Sequence, residues 1–322
     1  MPEFSASRAT APDPQVQAFL QLYESMQLPE LHELQVGEAR KAQEQLSTMN
    51  PGIDLATVED RTIDGPAGEI PVRLYDPREG EAENGPLILY FHGGGWVVGS
   101  LDTHDAPCRK FASETGYPVA SVDYRLAPEH PFPAGLKDCY SALEWASDAG
   151  TALGIDPEKI VVAGDSAGAN LAAAVSLLSR DLDGPEIAAQ VLVYPATGDA
   201  TETESFEENA ERYFLSRETM EWFHDQYIAD EIDNGNIYAH PRLAADLSGL
   251  PPATIITAGF DPLRDDGAAY ANRLFEADVP VEYRNFEGMI HGFFNMIADP
   301  VNLDAAHEAY ELIAAELSQL DN

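Results

Sequence analysis

The stretch Ile160-Val161-Val162-Ala163-Gly164-Asp165-Ser166-Ala167-Gly168 decides the fold, because it joins an apolar strand to a helix through a tight turn. Residues 160–163 predict a buried strand, and residues 167–178 are good helix formers. The small residues Gly164 and Gly168 allow strand and helix to approach closely. A serine on such a strand-to-helix turn is typical of a nucleophile elbow, so Ser166 is the candidate nucleophile.

Strand-like and helical patterns alternate on both sides of this stretch. The predicted strands are Thr57–Ile63, Ile70–Tyr75, Leu87–Phe91, Val119–Tyr124, Ile160–Ala163, Val191–Tyr194, Thr254–Ala258 and Val281–Phe286. The predicted helices between and after them are Asp105–Thr115, Leu136–Ala149, Ala167–Ser179, Arg264–Phe275 and Leu303–Leu317. This alternation predicts an α/β fold with a mostly parallel, doubly wound sheet of about eight strands flanked by helices. The first strands are joined by short connections and should pair antiparallel.

Two segments lie outside this alternation. Pro14–Asn50 has a helical pattern that Pro29 interrupts, which predicts two helices. No clear strand occurs between Tyr194 and Thr254, where Ser216–Ile228 predicts a helix with Ser216 as its N-cap. We therefore expect residues 1–50 and an insertion around residues 198–240 to form a helical cap over the carboxyl edge of the sheet. Residues 51–322 form the expected catalytic domain.

The charge of the chain is unusual, with 56 acidic and 18 basic residues and a net charge of −38. Such a field repels nucleic acid and anionic membranes, so neither is an expected partner. At about 1 M salt the Debye length falls to ~3 Å, and like charges no longer repel across a surface. The acidity therefore indicates either an ordinary acidic protein or, as we favour, one adapted to molar salt.

The two cysteines and the lack of long apolar stretches indicate the cellular compartment. Cys108 and Cys139 cannot form a disulfide framework and are expected to be reduced and buried. Residues 1–14 contain no apolar run, which predicts no signal peptide, and no stretch is long enough to span a membrane. The sequence thus predicts a soluble cytoplasmic protein.

The motif His92-Gly93-Gly94-Gly95 follows the apolar strand Leu87–Phe91. Three successive glycines leave backbone N–H groups unshielded and allow unusual dihedral angles. Together with the N–H of Ala167, those of Gly93, Gly94 and Gly95 are the candidate donors of an oxyanion hole. The sequence does not decide which two glycines donate. A flexible glycine loop is the alternative.

Asp261 and His291 complete the candidate site. Asp261 follows the strand Thr254–Ala258 and is placed to orient an imidazole, whereas Asp265 and Asp266 are ordinary helix-start residues. His291 lies beyond a loop expected at residues 287–290 and is the candidate general base. The other histidines form no metal-binding pattern, so no metal is expected. The order Ser, Asp, His is that of α/β-hydrolases.

With these four segments the chain resembles the hormone-sensitive lipase family of α/β-hydrolases, in its bacterial and archaeal esterase branch. The resemblance runs from about residue 10 to the C-terminus and includes Tyr124-Arg125-Leu126-Ala127-Pro128-Glu129, Asp261-Pro262-Leu263-Arg264-Asp265 and the Gly-Asp-Ser-Ala-Gly form of the elbow. It implies the α/β-hydrolase fold, carboxylic-ester hydrolysis, no cofactor, a helical cap and frequent dimerisation. It also implies catalytic roles for Ser166, Asp261 and His291. Ala169 stands where many members carry glycine, and the acidity suggests a salt-loving source.

The expected substrate is a small carboxylic ester with a short or medium acyl chain. The expected pocket walls, each of which could equally be core packing, are Trp96, Val97, Tyr194, Phe214, Leu215 and Ile290. An amidase or peptidase would use the same three residues, and a lactonase or acetyl-ester deacetylase would differ only in substrate. A non-catalytic ligand receptor on this fold is the alternative from another class, although such receptors generally lack the histidine base.

Overall fold

Eight strands form one central sheet in the computed structural model, which describes residues 3–47, 52–79 and 84–321. The strands are β1 (Thr57–Gly65), β2 (Gly68–Asp76), β3 (Gly85–Phe91), β4 (Val119–Val122), β5 (Ile155–Asp165), β6 (Ala189–Val193), β7 (Ala253–Phe260) and β8 (Val281–Ile290). A separate two-stranded ribbon consists of β9 (Ile297–Ala298) and β10 (Val301–Asn302). All eight predicted strands are therefore confirmed, with shifted ends.

The sheet order is β1-β2-β4-β3-β5-β6-β7-β8. As predicted, β2 pairs antiparallel with β1, and it also pairs antiparallel with β4. All other neighbours are parallel. Because Phe91 at the end of β3 pairs with Gly164 on β5, the chain segments that follow these two strands leave the sheet side by side.

Nine α-helices accompany the sheet in the described residues: α1 (Pro14–Met26), α2 (Val36–Ser47), α3 (Asp105–Thr115), α4 (Ala134–Ala149), α5 (Ala167–Asp181), α6 (Glu204–Asn209), α7 (Arg217–Tyr227), α8 (Arg264–Glu276) and α9 (Asp304–Leu317). Side-chain caps mark the starts of α1 and α7. The Asp13 carboxylate accepts the N–H of Gln15 at the start of α1, where Pro14 occupies the first position. Ser216 is the N-cap of α7, as predicted, and its Oγ accepts the N–H of Thr219.

Alternate residues of the central strands pack into two cores, one on each face of the sheet. On β3, Leu87, Leu89 and Phe91 belong to one core, while Ile88 and Tyr90 belong to the other. Both cores are covered by helices, which explains why these strands have almost wholly apolar sequences.

The two helical segments outside the alternation contact each other and the sheet loops. Ser216 Oγ at the start of α7 donates to Glu30 Oε2 at 2.5 Å, close to the 3-10 helix Leu31–Glu33. On α2, Arg40 donates from Nε to the carbonyl of Val97 at 2.8 Å and forms an ion pair with Glu129. Within the described part of the chain, residues 194–252 contain helices and turns but no strand. The predicted boundary at residues 50 and 51 lies outside the described residues.

One element was predicted wrongly. Residues 287–290 were expected to be a loop, but β8 continues to Ile290, which pairs with Phe260 of β7 beyond an irregularity in register. The expected thiols are confirmed, since Cys108 and Cys139 are both free and buried. None of the described helices has the length and apolar character needed to cross a membrane.

Candidate active site

Ser166 occupies a strained turn between β5 and α5. It is the N-cap of α5 with φ 55° and ψ −117°, a conformation that non-glycine residues rarely adopt. Its N–H donates to the carbonyl of Val193 at 2.8 Å. A Cβ on Gly168 would lie 1.9 Å from the carbonyl oxygen of Phe91, so the helix start is pressed against the end of β3. The backbone thus holds the Ser166 side chain at the carboxyl edge of the sheet.

The structure brings Ser166, His291 and Asp261 into one hydrogen-bonded chain. His291 Nε2 lies 2.9 Å from Ser166 Oγ, and His291 Nδ1 lies 2.8 Å from Asp261 Oδ2. Asp261 follows β7 directly and is fully buried, and its Oδ1 accepts the N–H of Leu263 at 2.8 Å. With its proton on Nδ1, the imidazole can donate to Asp261 and accept the proton of Ser166. This geometry fits a nucleophile, base and orienting carboxylate.

The structure narrows the set of N–H groups in the glycine loop that can donate to an oxyanion. The N–H of Gly93 donates to Asp165 Oδ1 at 2.9 Å, so the prediction of Gly93 as an oxyanion donor is wrong. The N–H groups of Gly94, Gly95 and Ala167 have no hydrogen-bond acceptor among the described residues. Gly94 and Gly95 have φ values of 115° and 57°, which favour glycine. The remaining candidate donors are therefore Gly94, Gly95 and Ala167.

His92 supports the glycine loop from inside the protein. It is fully buried, its Nδ1 lies 2.8 Å from the carbonyl oxygen of Gly93, and its ring stacks on Tyr124 with centroids 4.4 Å apart. Burial, reinforced by the nearby imidazole of His104, lowers the pKa of His92 to about 3. His92 is therefore neutral at neutral pH and donates its Nδ1–H to Gly93.

The expected pocket walls divide into two groups. Tyr194 packs its ring 4.5 Å from that of His291, and Phe214, whose exposed fraction is 44%, lies against Gly292. Trp96 is only partly buried and stacks on Tyr227 of α7, with ring centroids 4.3 Å apart.

The other three expected wall residues belong to hydrophobic clusters. Val97 and Ile290 are fully buried in the two cores, as Tyr194 also is, so their place in the walls of a pocket stays a prediction. Their neighbours in sequence reach the site, but their own side chains face the packed interior. Leu215 packs against the small cluster that contains Phe206 and Leu263.

Three aromatic residues near the site were not predicted as site residues. Phe223 of α7 lies on Gly95, since a Cβ there would stand 2.1 Å from its Cγ. Phe19 and Tyr23 of α1 contact the ring of Phe214, with centroids 5.5 and 5.4 Å apart. Phe19 and Tyr23 recur at helical spacing in the sequence of α1, as Phe223 and Tyr227 do in α7, but a single sequence does not indicate what these helix faces contact.

Within the described residues, no group of three or more His, Cys, Asp or Glu side chains is arranged to hold a metal ion.

Comparisons with known proteins show the family of this chain. Residues 88–295 match a family model described as alpha/beta hydrolase fold. The chain is 45% identical over 262 residues to the carboxylesterase NlhH of Mycobacterium tuberculosis, covering 80% of this chain and 82% of that protein. It is 40% identical over 283 residues to an arylesterase of Saccharolobus solfataricus, covering 87% and 92%.

Solved structures give the same result. An ester hydrolase from the metagenome of Lake Arreo superposes with a TM-score of 0.91 at 39% identity, covering 96% of this chain and 98% of that chain. A hyperthermophilic esterase from Pyrobaculum calidifontis superposes with a TM-score of 0.89 at 40% identity, covering 97% and 99%.

Proposed function

This chain belongs to the alpha/beta hydrolase family, and from that premise we propose that it hydrolyses short- to medium-chain carboxylic esters through Ser166, His291 and Asp261. The relatives named above are esterases, and the class of this enzyme is carboxylic ester hydrolase. The continuous hydrogen-bonded chain from Ser166 to Asp261 is the observation that carries the proposed mechanism.

In the first half of the reaction, Ser166 Oγ attacks the ester carbonyl while His291 Nε2 takes its proton. The negative charge that develops on the carbonyl oxygen is stabilised by the N–H groups of Gly94, Gly95 and Ala167. Asp261 holds the imidazole in the required tautomer and stabilises its charged form. His291 then gives the proton to the leaving alcohol, and an acyl-enzyme remains.

In the second half, water attacks the acyl-enzyme. His291 takes a proton from the water and returns it to Ser166 as the acid leaves. The positive end of the α5 dipole lies beside Ser166 and favours the oxyanion in both halves.

We further propose that the N-terminal helices and the insertion around residues 198–240 act as a cap. Phe223 and Tyr227 of α7 contact the loop that carries the oxyanion donors, and Phe19 and Tyr23 of α1 contact Phe214 beside the base. Aromatic rings from both segments thus border the site, which favours compact acyl groups over long chains. Together with the Gly-Asp-Ser-Ala-Gly elbow, this cap supports a place in the hormone-sensitive lipase branch.

The net charge of −38 supports a second, separate part of the proposal, which is adaptation to molar salt. Several of the few basic residues are already paired, such as Arg40 with Glu129 and Arg284 with Glu308. Most carboxylates therefore depend on dissolved cations for screening.

The experiment that tests the proposed function is a chain-length series of p-nitrophenyl esters in about 3 M KCl, where surface charges are screened. Rates should peak at short or medium acyl chains and vanish in Ser166→Ala, and a fluorophosphonate should label the native protein but not that variant. Labelling without ester turnover would favour an amidase or a specialised deacetylase. Absence of both would leave a non-catalytic receptor and refute the proposal.

A further inference from the structure

Asp165 is a buried carboxylate that the mechanism above does not use. It precedes Ser166 in the elbow and has an exposed fraction of 3%. Its side chain lies inside the protein. A buried carboxylate is costly unless other groups satisfy it, so its partners indicate what it holds in place.

Both carboxylate oxygens of Asp165 have partners. Oδ1 accepts the hydroxyl of Tyr90 at 2.7 Å and the N–H of Gly93 at 2.9 Å, and it lies 3.4 Å from His104 Nε2. Oδ2 accepts the amide of Asn295 at 3.1 Å. Burial alone would raise the pKa of Asp165, but His104 and the hydrogen bonds from Tyr90 and Asn295 outweigh it and hold that pKa well below its usual range. The carboxylate is therefore charged.

These partners come from the segments that carry the candidate chemistry. Tyr90 lies on β3, Gly93 opens the glycine loop, and Asn295 follows the base His291 by four residues. The nucleophile is the residue next to Asp165. One carboxylate thus joins the elbow, the glycine loop and the loop of the general base.

Asp165 packs so closely against the glycine loop that no side chain fits at Gly93. A Cβ on Gly93 would stand 2.5 Å from Asp165 Oδ2 and 2.9 Å from its carbonyl oxygen. The distance between loop and elbow is consequently set by direct contact with this side chain. Because the N–H of Gly93 is bound to Asp165, the next two N–H groups of the loop, those of Gly94 and Gly95, are the ones without an acceptor among the described residues.

We propose that Asp165 is a positioning residue that fixes the glycine loop against the elbow, so that the N–H groups of Gly94, Gly95 and Ala167 converge on the oxyanion. The inference rests on the proposed ester hydrolysis. It assigns Asp165 an effect on the transition state rather than on substrate binding. Displacing donors by about 1 Å can cost on the order of 10²-fold in rate.

The test compares Asp165→Asn with Asp138→Asn. Asp138 is an equally buried carboxylate, with an exposed fraction of 1%, but its partner is Arg125 rather than the glycine loop. Asparagine at 165 loses the charge and turns an N–H toward one of the donors. We expect kcat to fall roughly 10- to 100-fold in Asp165→Asn with KM within about twofold, and to stay near the native value in Asp138→Asn.

A second readout reports on the oxyanion hole itself. In a thionoester, sulfur replaces the carbonyl oxygen, and sulfur is larger and a weaker hydrogen-bond acceptor. A tightly set hole should therefore prefer the oxygen ester strongly, and a displaced one less so. The ratio of kcat/KM for the oxygen ester to that for the thionoester should fall in Asp165→Asn and stay native in Asp138→Asn.

The possible outcomes distinguish failure of the positioning role from failure of the proposed ester hydrolysis. Absence of Ser166-dependent turnover in the native protein would refute the proposed function. Native turnover with an unchanged oxygen-to-sulfur ratio in Asp165→Asn would overturn the positioning role alone. If Asp165→Asn fails to fold, Tyr90→Phe removes one hydrogen bond from the same carboxylate. It should lower kcat and the ratio by a smaller factor, and native values for both would overturn the inference.

Discussion

Phe223 of α7 lies directly on Gly95 of the glycine loop, where an added Cβ would stand 2.1 Å from its Cγ. The phenyl ring, which is almost fully buried, therefore rests on the backbone that carries a proposed oxyanion donor. Any side chain at position 95 must displace either the ring or the loop.

We predict that Gly95→Ala lowers kcat/KM by roughly 10²-fold or more, because the loop moves and a donor is lost. Gly116→Ala is the matched control, since Gly116 also has a positive φ but its Cβ would meet nothing within 4 Å. The control should lose about 1 kcal/mol of stability and keep its activity. Adding Phe223→Ala to Gly95→Ala should restore part of the rate. Equal activity of both single variants would contradict the contact.

Replacing Asp261, the proposed orienting carboxylate, should slow the reaction while leaving the fold intact. We expect Asp261→Asn to lower kcat roughly 10³- to 10⁴-fold, because the amide favours the wrong imidazole tautomer. Asp265→Asn is the control: Asp265 accepts the N–H of Ser205 and pairs with Arg264 at the start of α8. Steady-state kinetics on both variants decide the assignment. A large loss in Asp265→Asn with native rates in Asp261→Asn would reverse it.

Acid should destabilise the fold through His92. The unfolded chain binds a proton at this residue as pH falls below about 6.5, whereas the folded protein holds it neutral down to about 3. Its contribution to stability is therefore complete above pH 6.5 and is lost as pH falls, by about 2 kcal/mol at pH 5. Urea unfolding at pH 7 and pH 5 should show a smaller acid loss in His92→Asn than in the native protein. Identical losses would argue against a buried neutral imidazole.

Phe214 should limit the length of the acyl chain. Truncating it beside Gly292 opens the space that its ring fills, so Phe214→Ala should shift the preferred ester toward longer chains, each accommodated methylene being worth about 0.8 kcal/mol. Phe275→Ala is matched to it, because Phe275 is exposed to 47% on α8, where it contacts Phe4. The p-nitrophenyl ester series should change only in the first variant. A native chain-length profile in Phe214→Ala would remove this residue from the pocket.

Salt should stabilise the folded protein. Between about 0.1 and 1 M salt the Debye length falls from ~10 to ~3 Å, and repulsion among unpaired carboxylates is screened over that range. We expect the melting temperature to rise steeply there and then level off. The same melting temperature and activity in dilute buffer and in 3 M KCl would rule out salt adaptation.

The sheet and the meeting of Ser166, Asp261 and His291 could be predicted, because local patterns determine where the strands end. Asp261 and His291 each follow a strand of a parallel sheet, and such strand ends meet at one edge. The end of β8 could not be predicted, because residues 287–290 contain Gly288 and join the sheet only through pairing with β7. Tertiary pairing there overrides local preference.

The directions of individual side chains could not be predicted either. Val97 and Ile290 lie next to site residues in sequence, yet each packs into a core, since consecutive side chains on an extended strand alternate between faces and those in a turn follow its dihedral angles. The hydrogen bond from the N–H of Gly93 to Asp165 could not be predicted from the sequence either. It depends on where β3 and β5 place Asp165, which a single sequence does not contain.

Seven non-glycine residues in the described ranges have a positive φ, and four of them, Trp96, Ser166, Tyr194 and Phe214, border the candidate site. Each holds about 1–3 kcal/mol of conformational strain that the rest of the fold must offset. Replacing any of these four residues with glycine would relax the backbone and raise the stability of the fold toward heat. Those same changes would remove the proposed nucleophile or loosen the rings around it. In this protein, thermal robustness is better sought at Asp183 and Asp278, the two left-handed residues at the ends of α5 and α8, where the backbone can be relaxed without touching the site.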